Sequence, residues 1–172
     1  MTKTEIFDQC KLQVNGDPVT AHLLMAIIEQ ESAFEWDASR LEQGFYRRYT
    51  MPQSLATTSE ILLACSYGLM QAMGQSLREM EYFEFYKIYH NARHTQQLTD
   101  PLSQLCICQG VDAFMVRPAW QIEWGTKWFR RKLKSVGNDI EKALLRWNGG
   151  GNPKYPSEVL GRVDRLKKSY PG

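Results

Sequence analysis

Along most of the chain, apolar residues recur at the spacing of an α-helix. In "PVTAHLLMAIIEQES", Leu23, Leu24, Ile27 and Ile28 form one apolar face. Glu31 lies one turn beyond Ile27 on that face, whereas Glu29 points elsewhere. A carboxylate aimed at a core or a cleft is costly to ionise, so its pKa should rise into the range of a general acid. The competing expectation is that Glu31 ends its helix in water. Further helices are expected over "TEIFDQCKLQV", stopped by Asn15-Gly16, and over a segment that starts near Pro18 and runs to Glu31. "SEILLACSYGLMQAMGQSLREM" reads as two helices with a break around Ser66 to Gly68. "DPLSQLCICQGVDAFM" opens with Asp100 as a cap candidate and Pro101 in the first turn. "AWQIEWGTKWFRRKLK", "NDIEKALLRW" (capped by Asn138 or Asp139, stopped by "NGGGNP") and "SEVLGRVDRLKKSY" complete the set.

Residues 34–58 read as a long irregular connection rich in aromatic and charged side chains. The segment 81–98 gives no clear periodicity. Strand signals are weak throughout. The expected fold is all-α, or α-dominated α+β at most, with about seven to nine helices. With no repeat, low-complexity tract or linker, residues 1–172 are expected to form a single domain.

Composition adds limits. Hydrophobic residues make up 43% and charged residues 23%, which excludes general disorder. The net charge is +2, too small to name an acidic partner, and no nucleic-acid partner is expected. Basic residues cluster at Arg130 to Lys134 and at Arg162, Arg165, Lys167 and Lys168, and are expected to be solvated helix faces. Cys10, Cys65, Cys106 and Cys108 are scattered among apolar neighbours and read as buried reduced thiols. The first eighteen residues contain no apolar run of signal-peptide type, and "LLMAII" is too short to span a bilayer. Synthesis in the cytoplasm and no membrane insertion are therefore expected.

His90 and His94 have zinc-ligand spacing, but no Glu follows His90, and Cys106-x-Cys108 is not a usual structural zinc pattern. No metal and no cofactor are expected. "NGGG" at 148–151 follows a helix instead of a strand, the wrong setting for a phosphate cradle.

Three short segments fall in a suggestive order: Glu31-Ser32, Gly68-Leu69-Met70-Gln71 and Trp147-Asn148-Gly149-Gly150, with Asp100-Pro101 between the last two. In this the chain resembles the soluble lytic transglycosylases, lysozyme-like enzymes that cut peptidoglycan. The likeness extends over residues 18–163 and includes "YPSEVLGRV". The loop "LEQGFYRRY" is similar to an insertion of a phage and bacterial subgroup. The resemblance implies a lysozyme-like fold with Glu31 as catalytic acid and base at the bond between N-acetylmuramic acid and N-acetylglucosamine. It implies that Gln71, Met73 and Asn148 contact the sugar and that Ser32 orients or caps around Glu31. Trp147 stands where the family has a Tyr whose hydroxyl reaches the acid. An indole can donate a hydrogen bond but cannot exchange a proton as a phenol can. Trp147 could wall the acid, stack on a sugar, or simply pack in the core.

Glycosidases commonly use two carboxylates, whereas this family usually manages with one. Asp37, Glu42 and Glu60 lie in or beside the loop, and Glu42 is the foremost candidate for a second carboxylate. Its alternative is an ion pair with Arg40, Arg47 or Arg48. Phe45, Tyr46 and Tyr49 either form a sugar platform or pin the loop. The expected partner is the peptidoglycan glycan strand, met by a monomer. The lack of a leader fits a phage endolysin, a virion-carried enzyme or a bacterial enzyme delivered by a secretion machine.

Overall fold

A computed structural model describes residues 1–55, 57–80 and 101–171, with side chains from residue 107 in the last segment. His90, His94 and the cap candidate Asp100 lie outside the described residues, as does the Cys106 side chain. The described residues hold nine α-helices and a small antiparallel sheet. The helices are α1 (Lys3–Leu12), α2 (Ala21–Ser32), α3 (Gln43–Phe45), α4 (Thr57–Ala64), α5 (Gly74–Glu79), α6 (Pro101–Met115), α7 (Pro118–Lys134), α8 (Ile140–Trp147) and α9 (Tyr155–Ser169). The strands are β1 (Ser39–Leu41), β2 (Cys65–Tyr67) and β3 (Ala72–Met73), in the order β1-β2-β3. Arg40 pairs with Ser66, and Ser66 with Met73.

Local chemistry accounts for the helix ends. Thr2 and Glu5 form a reciprocal capping box at α1. Thr20, not Pro18, starts α2: its hydroxyl accepts from the Leu23 N–H at 3.1 Å. Pro18 is held back because Asp17 accepts from the Val19 N–H, closing a turn before the helix. Asp139 caps α8, and Gly149 and Gly150 end it with φ of +70° and +78°.

Residues Leu23 through Ile28 are all buried, so α2 is enclosed on every side and has no single apolar face. It packs against α9 and α1, and Met70, Ile122, Phe129 and Leu144 close the core around it. A second cluster, with Leu63, Leu77, Phe114 and Trp124, joins α4, α5, α6 and α7. Helix α7 serves both clusters.

The loop expected to be irregular is built. It contains β1, α3, a π-helical turn Tyr46–Thr50 and a 3-10 turn Met51–Gln53. Tyr46 pins it to Glu60 with a long hydrogen bond of 3.5 Å, and Phe45 and Tyr49 pack ring against ring at 4.8 Å.

The basic cluster at the end of α7 is not one solvated face. Arg130 turns inward to Asp17 at 2.5 Å and to the carbonyl of Gln13, tying the α1–α2 turn to α7. Near the C-terminus Arg165 pairs with Glu29 at 2.6 Å. Cys10 is buried, and desolvation pushes its thiol up to about 12, whereas Cys65 and Cys108 are only half-buried. Among the described residues no helix is long and apolar enough to cross a membrane.

Candidate active site

The C-terminal end of α2, the sheet, α5, α7 and the end of α8 surround a groove of about 460 Å³. Glu31, Glu42, Gln71, Met73, Trp147 and Asn148 all line it. Six residues singled out from sequence are thus brought together from four separate parts of the chain.

Glu31 is the best defined of them. The Trp147 indole N–H donates to Glu31 Oε1 at 3.0 Å, and the Tyr155 hydroxyl donates to the same oxygen at 2.5 Å. Burial raises the pKa of the carboxyl; the two hydrogen bonds oppose that shift without cancelling it. Arg40 lowers it further and Glu42 raises it, both to a smaller degree. With Oε1 holding two donors, Oε2 is the oxygen left to carry a proton. Glu29, two residues earlier, is engaged by Arg165 and Arg162.

Tyr155 was not a sequence candidate. It is buried in the first turn of α9, and burial and the neighbouring Glu31 carboxylate both drive its own pKa upward. A phenol from α9 thus meets the same carboxyl oxygen as the Trp147 indole. Trp147 combines two expected roles: it meets Phe129 edge to face at 5.7 Å, and its N–H reaches Glu31.

Ser32, expected to orient or cap around Glu31 or to meet substrate, does not line the groove. It is buried, and its hydroxyl donates to Ile28 O at 3.1 Å within α2. Back-bonding of this kind, to the carbonyl four residues earlier, is a usual arrangement for a serine within a helix.

Gln71 lines the groove as a braced wall. Its amide accepts from the Ser66 hydroxyl at 2.8 Å and donates to Gly68 O and Ala38 O. Asn148 ends α8, and its Oδ1 accepts from Asn152 N–H at 2.7 Å. Glu42 pairs with Arg40 at 2.6 Å and also accepts from Ser66 at 3.4 Å. The ion-pair expectation and the groove position hold together. Phe45 lines the groove and Tyr49 stands half exposed beside it, so the loop aromatics divide between pinning and lining. Asp37 is exposed, and Glu60 is buried beneath the π turn.

Gln121, also missed from sequence, fixes these walls relative to each other. It is buried at 1% exposure on α7. Its oxygen accepts from Leu69 N–H at 2.9 Å, and its amide N–H groups are shared by Trp36 O, Phe114 O and Met115 O.

Among the described residues no group of three or more His, Cys, Asp or Glu is placed to hold a metal ion. Comparisons of the chain with protein-family models, with curated proteins and with solved structures return no match. The chemistry open to the site follows from its own residues. One carboxyl with a raised pKa, in a groove lined by aromatic and amide groups, can protonate a leaving oxygen and later take a proton back.

Proposed function

We propose that this chain is a peptidoglycan-cleaving enzyme of lysozyme-like type, acting on the β-1,4 bond between N-acetylmuramic acid and N-acetylglucosamine as a lytic transglycosylase. The observation that carries the reading is the Glu31 carboxyl, its pKa raised by burial, gripped on one oxygen by Trp147 and Tyr155. Glu31 protonates the glycosidic oxygen as the C1–O bond breaks. The muramoyl 6-hydroxyl then bonds to C1 and returns its proton to Glu31, leaving a 1,6-anhydro end with no water added. Met73, Asn148 and Trp147 line the groove that would receive the sugars.

A second reading has a specific observation behind it. Glu42 lines the same groove, held by Arg40. Were it to position a water, the enzyme would be a muramidase. The proposed setting is the cell wall, reached by a monomer made in the cytoplasm.

Mass analysis of fragments released from purified peptidoglycan tests the reading. Wild type is expected to yield 1,6-anhydromuramic ends, and Glu31→Gln to lower the rate by about 10²–10⁴-fold, the usual contribution of a general acid. Reducing ends carrying water, lost in Glu42→Gln, would establish the muramidase. Glycan binding without fragments from folded wild type would replace both with a non-catalytic wall-binding protein.

A further inference from the structure

The groove continues past Trp128. A second lobe of about 250 Å³ opens there, and Glu79, Trp128, Lys132 and Arg146 wall both spaces. Arg131 and Ser135 complete the lobe. The Lys132 ammonium lies 4.9 Å from the Trp128 ring centroid and the Arg131 guanidinium 5.5 Å.

The charges here are poorly matched. Lys132 donates to Arg146 O at 3.1 Å, Arg131 to Glu79 O at 3.1 Å and Arg146 to the Ser135 hydroxyl at 2.7 Å. Each cation is held in place by a neutral oxygen. Among the described residues the one carboxylate in the wall, Glu79, accepts from the Gln75 amide at 3.2 Å. Three positive charges thus face one negative charge. Elsewhere in the groove Arg40 and Glu42 neutralise each other. Lys132 is also partly desolvated, which lowers its pKa, so an arriving anion would restore what burial removes. The groove is balanced in charge at Arg40 and Glu42 and cationic at the lobe walled by Arg131, Lys132 and Arg146.

We propose that this lobe is a carboxylate-binding subsite, taking the acid groups of the peptide stem borne by a sugar in the groove. Lys132, Arg146 and Arg131 supply the cationic contacts and Trp128 the surface between the two spaces. The proposal rests on reading the groove as a peptidoglycan site.

The test uses Glu31→Gln protein, which holds ligand uncleaved, and calorimetric titration with two probes. One is a disaccharide carrying a tetrapeptide with free carboxylates; the other is the same molecule with those carboxylates amidated. The free acid is expected to bind about tenfold more tightly, the scale of one or two charge-assisted hydrogen bonds. That preference should shrink as salt rises. It should fall to near unity in Lys132→Met, which keeps an apolar stem on Trp128, and in Arg146→Gln. Thermal melts confirm that the variants are folded. Equal binding of the two probes, or a preference untouched by both substitutions, overturns the subsite and leaves the glycan reading standing. Failure of both probes to bind overturns both.

Discussion

Removing Gln121 should loosen the groove and destabilise the whole fold, by an amount that can be worked out. Its amide ties Leu69, Trp36, Phe114 and Met115 together, all through backbone groups. Two amide N–H groups serve three carbonyls, so the side chain makes the equivalent of three full hydrogen bonds. At about 1 kcal/mol net each, with the Leu69 N–H left unsatisfied, Gln121→Ala should cost about 3–4 kcal/mol. Against a usual total of 5–15 kcal/mol that is a large share, and it should lower Tm by roughly 6–16 °C for a domain of this size. Gly68 gives an internal check. It has φ +68°, and a Cβ there would lie 2.3 Å from Gln121 Cδ. Gly68→Ala therefore carries a left-handed backbone penalty of about 1–2 kcal/mol plus a clash with a side chain that is bonded in place. In the Gln121→Ala background only the backbone part remains. Urea denaturation of both single variants and the double variant measures this coupling. The double variant should lose about 2 kcal/mol less than the sum of the singles. Additivity within about 0.5 kcal/mol, or a loss under 1 kcal/mol for Gln121→Ala, would refute the reasoning.

Other consequences concern the acid. Tyr155→Phe removes a hydrogen bond that favours ionised Glu31, so the carboxyl should keep its proton to higher pH; a pH profile of fragment release should show its alkaline limb moving up, and a downward move would contradict the assignment. Glu31→Gln should be more stable than wild type at pH 7, because burial disfavours only the charged form. The wild type loses stability as pH rises from the ordinary carboxyl value of 4.5 towards its raised value, so the gap should close below pH 4.5; melts across that range decide it. Trp147→Phe keeps an aromatic ring against Phe129 but drops the indole N–H, and should cost about 1–2 kcal/mol in urea titrations.

Much of the helical frame was readable because each helix carries its own signals. Asp139 and the glycines after Asn148 bound α8, and the run from Leu23 to Ile28 marks α2. The enclosure of α2 on all sides was less visible, since Met25 and Ala26 extend the apolar run without changing its period. The strands escaped notice for a physical reason: three residues or fewer give alternation no room to register. Tyr155 and Gln121 were missed for another. Each acts through partners far away in sequence, Glu31 in one case and Trp36 and Leu69 in the other. Local patterns mark faces and ends; they do not say which distant group a buried phenol or amide will meet. A usable signal for Gln121 does exist. It sits in the row Gln121, Trp124, Gly125, which is otherwise apolar and faces the core.

The way Glu31 is held limits where its proton can go. Both donors grip Oε1. The indole of Trp147 has no proton acceptor to offer. The phenol of Tyr155 is itself driven upward by burial and by Glu31, so it stays neutral across the range in which Glu31 titrates. Neither neighbour can relieve the acid of its proton, and both fix its orientation. Exchange is left to Oε2, at a residue that lines the groove. The same contacts keep the shift within bounds. Burial alone would raise the carboxyl's pKa further, and the donors alone would lower it. Their opposition leaves a carboxyl that can hold a proton and give it up, as the proposed acid-then-base role requires. The indole at position 147 shares that balance with the Tyr155 phenol, because both bond to the same oxygen.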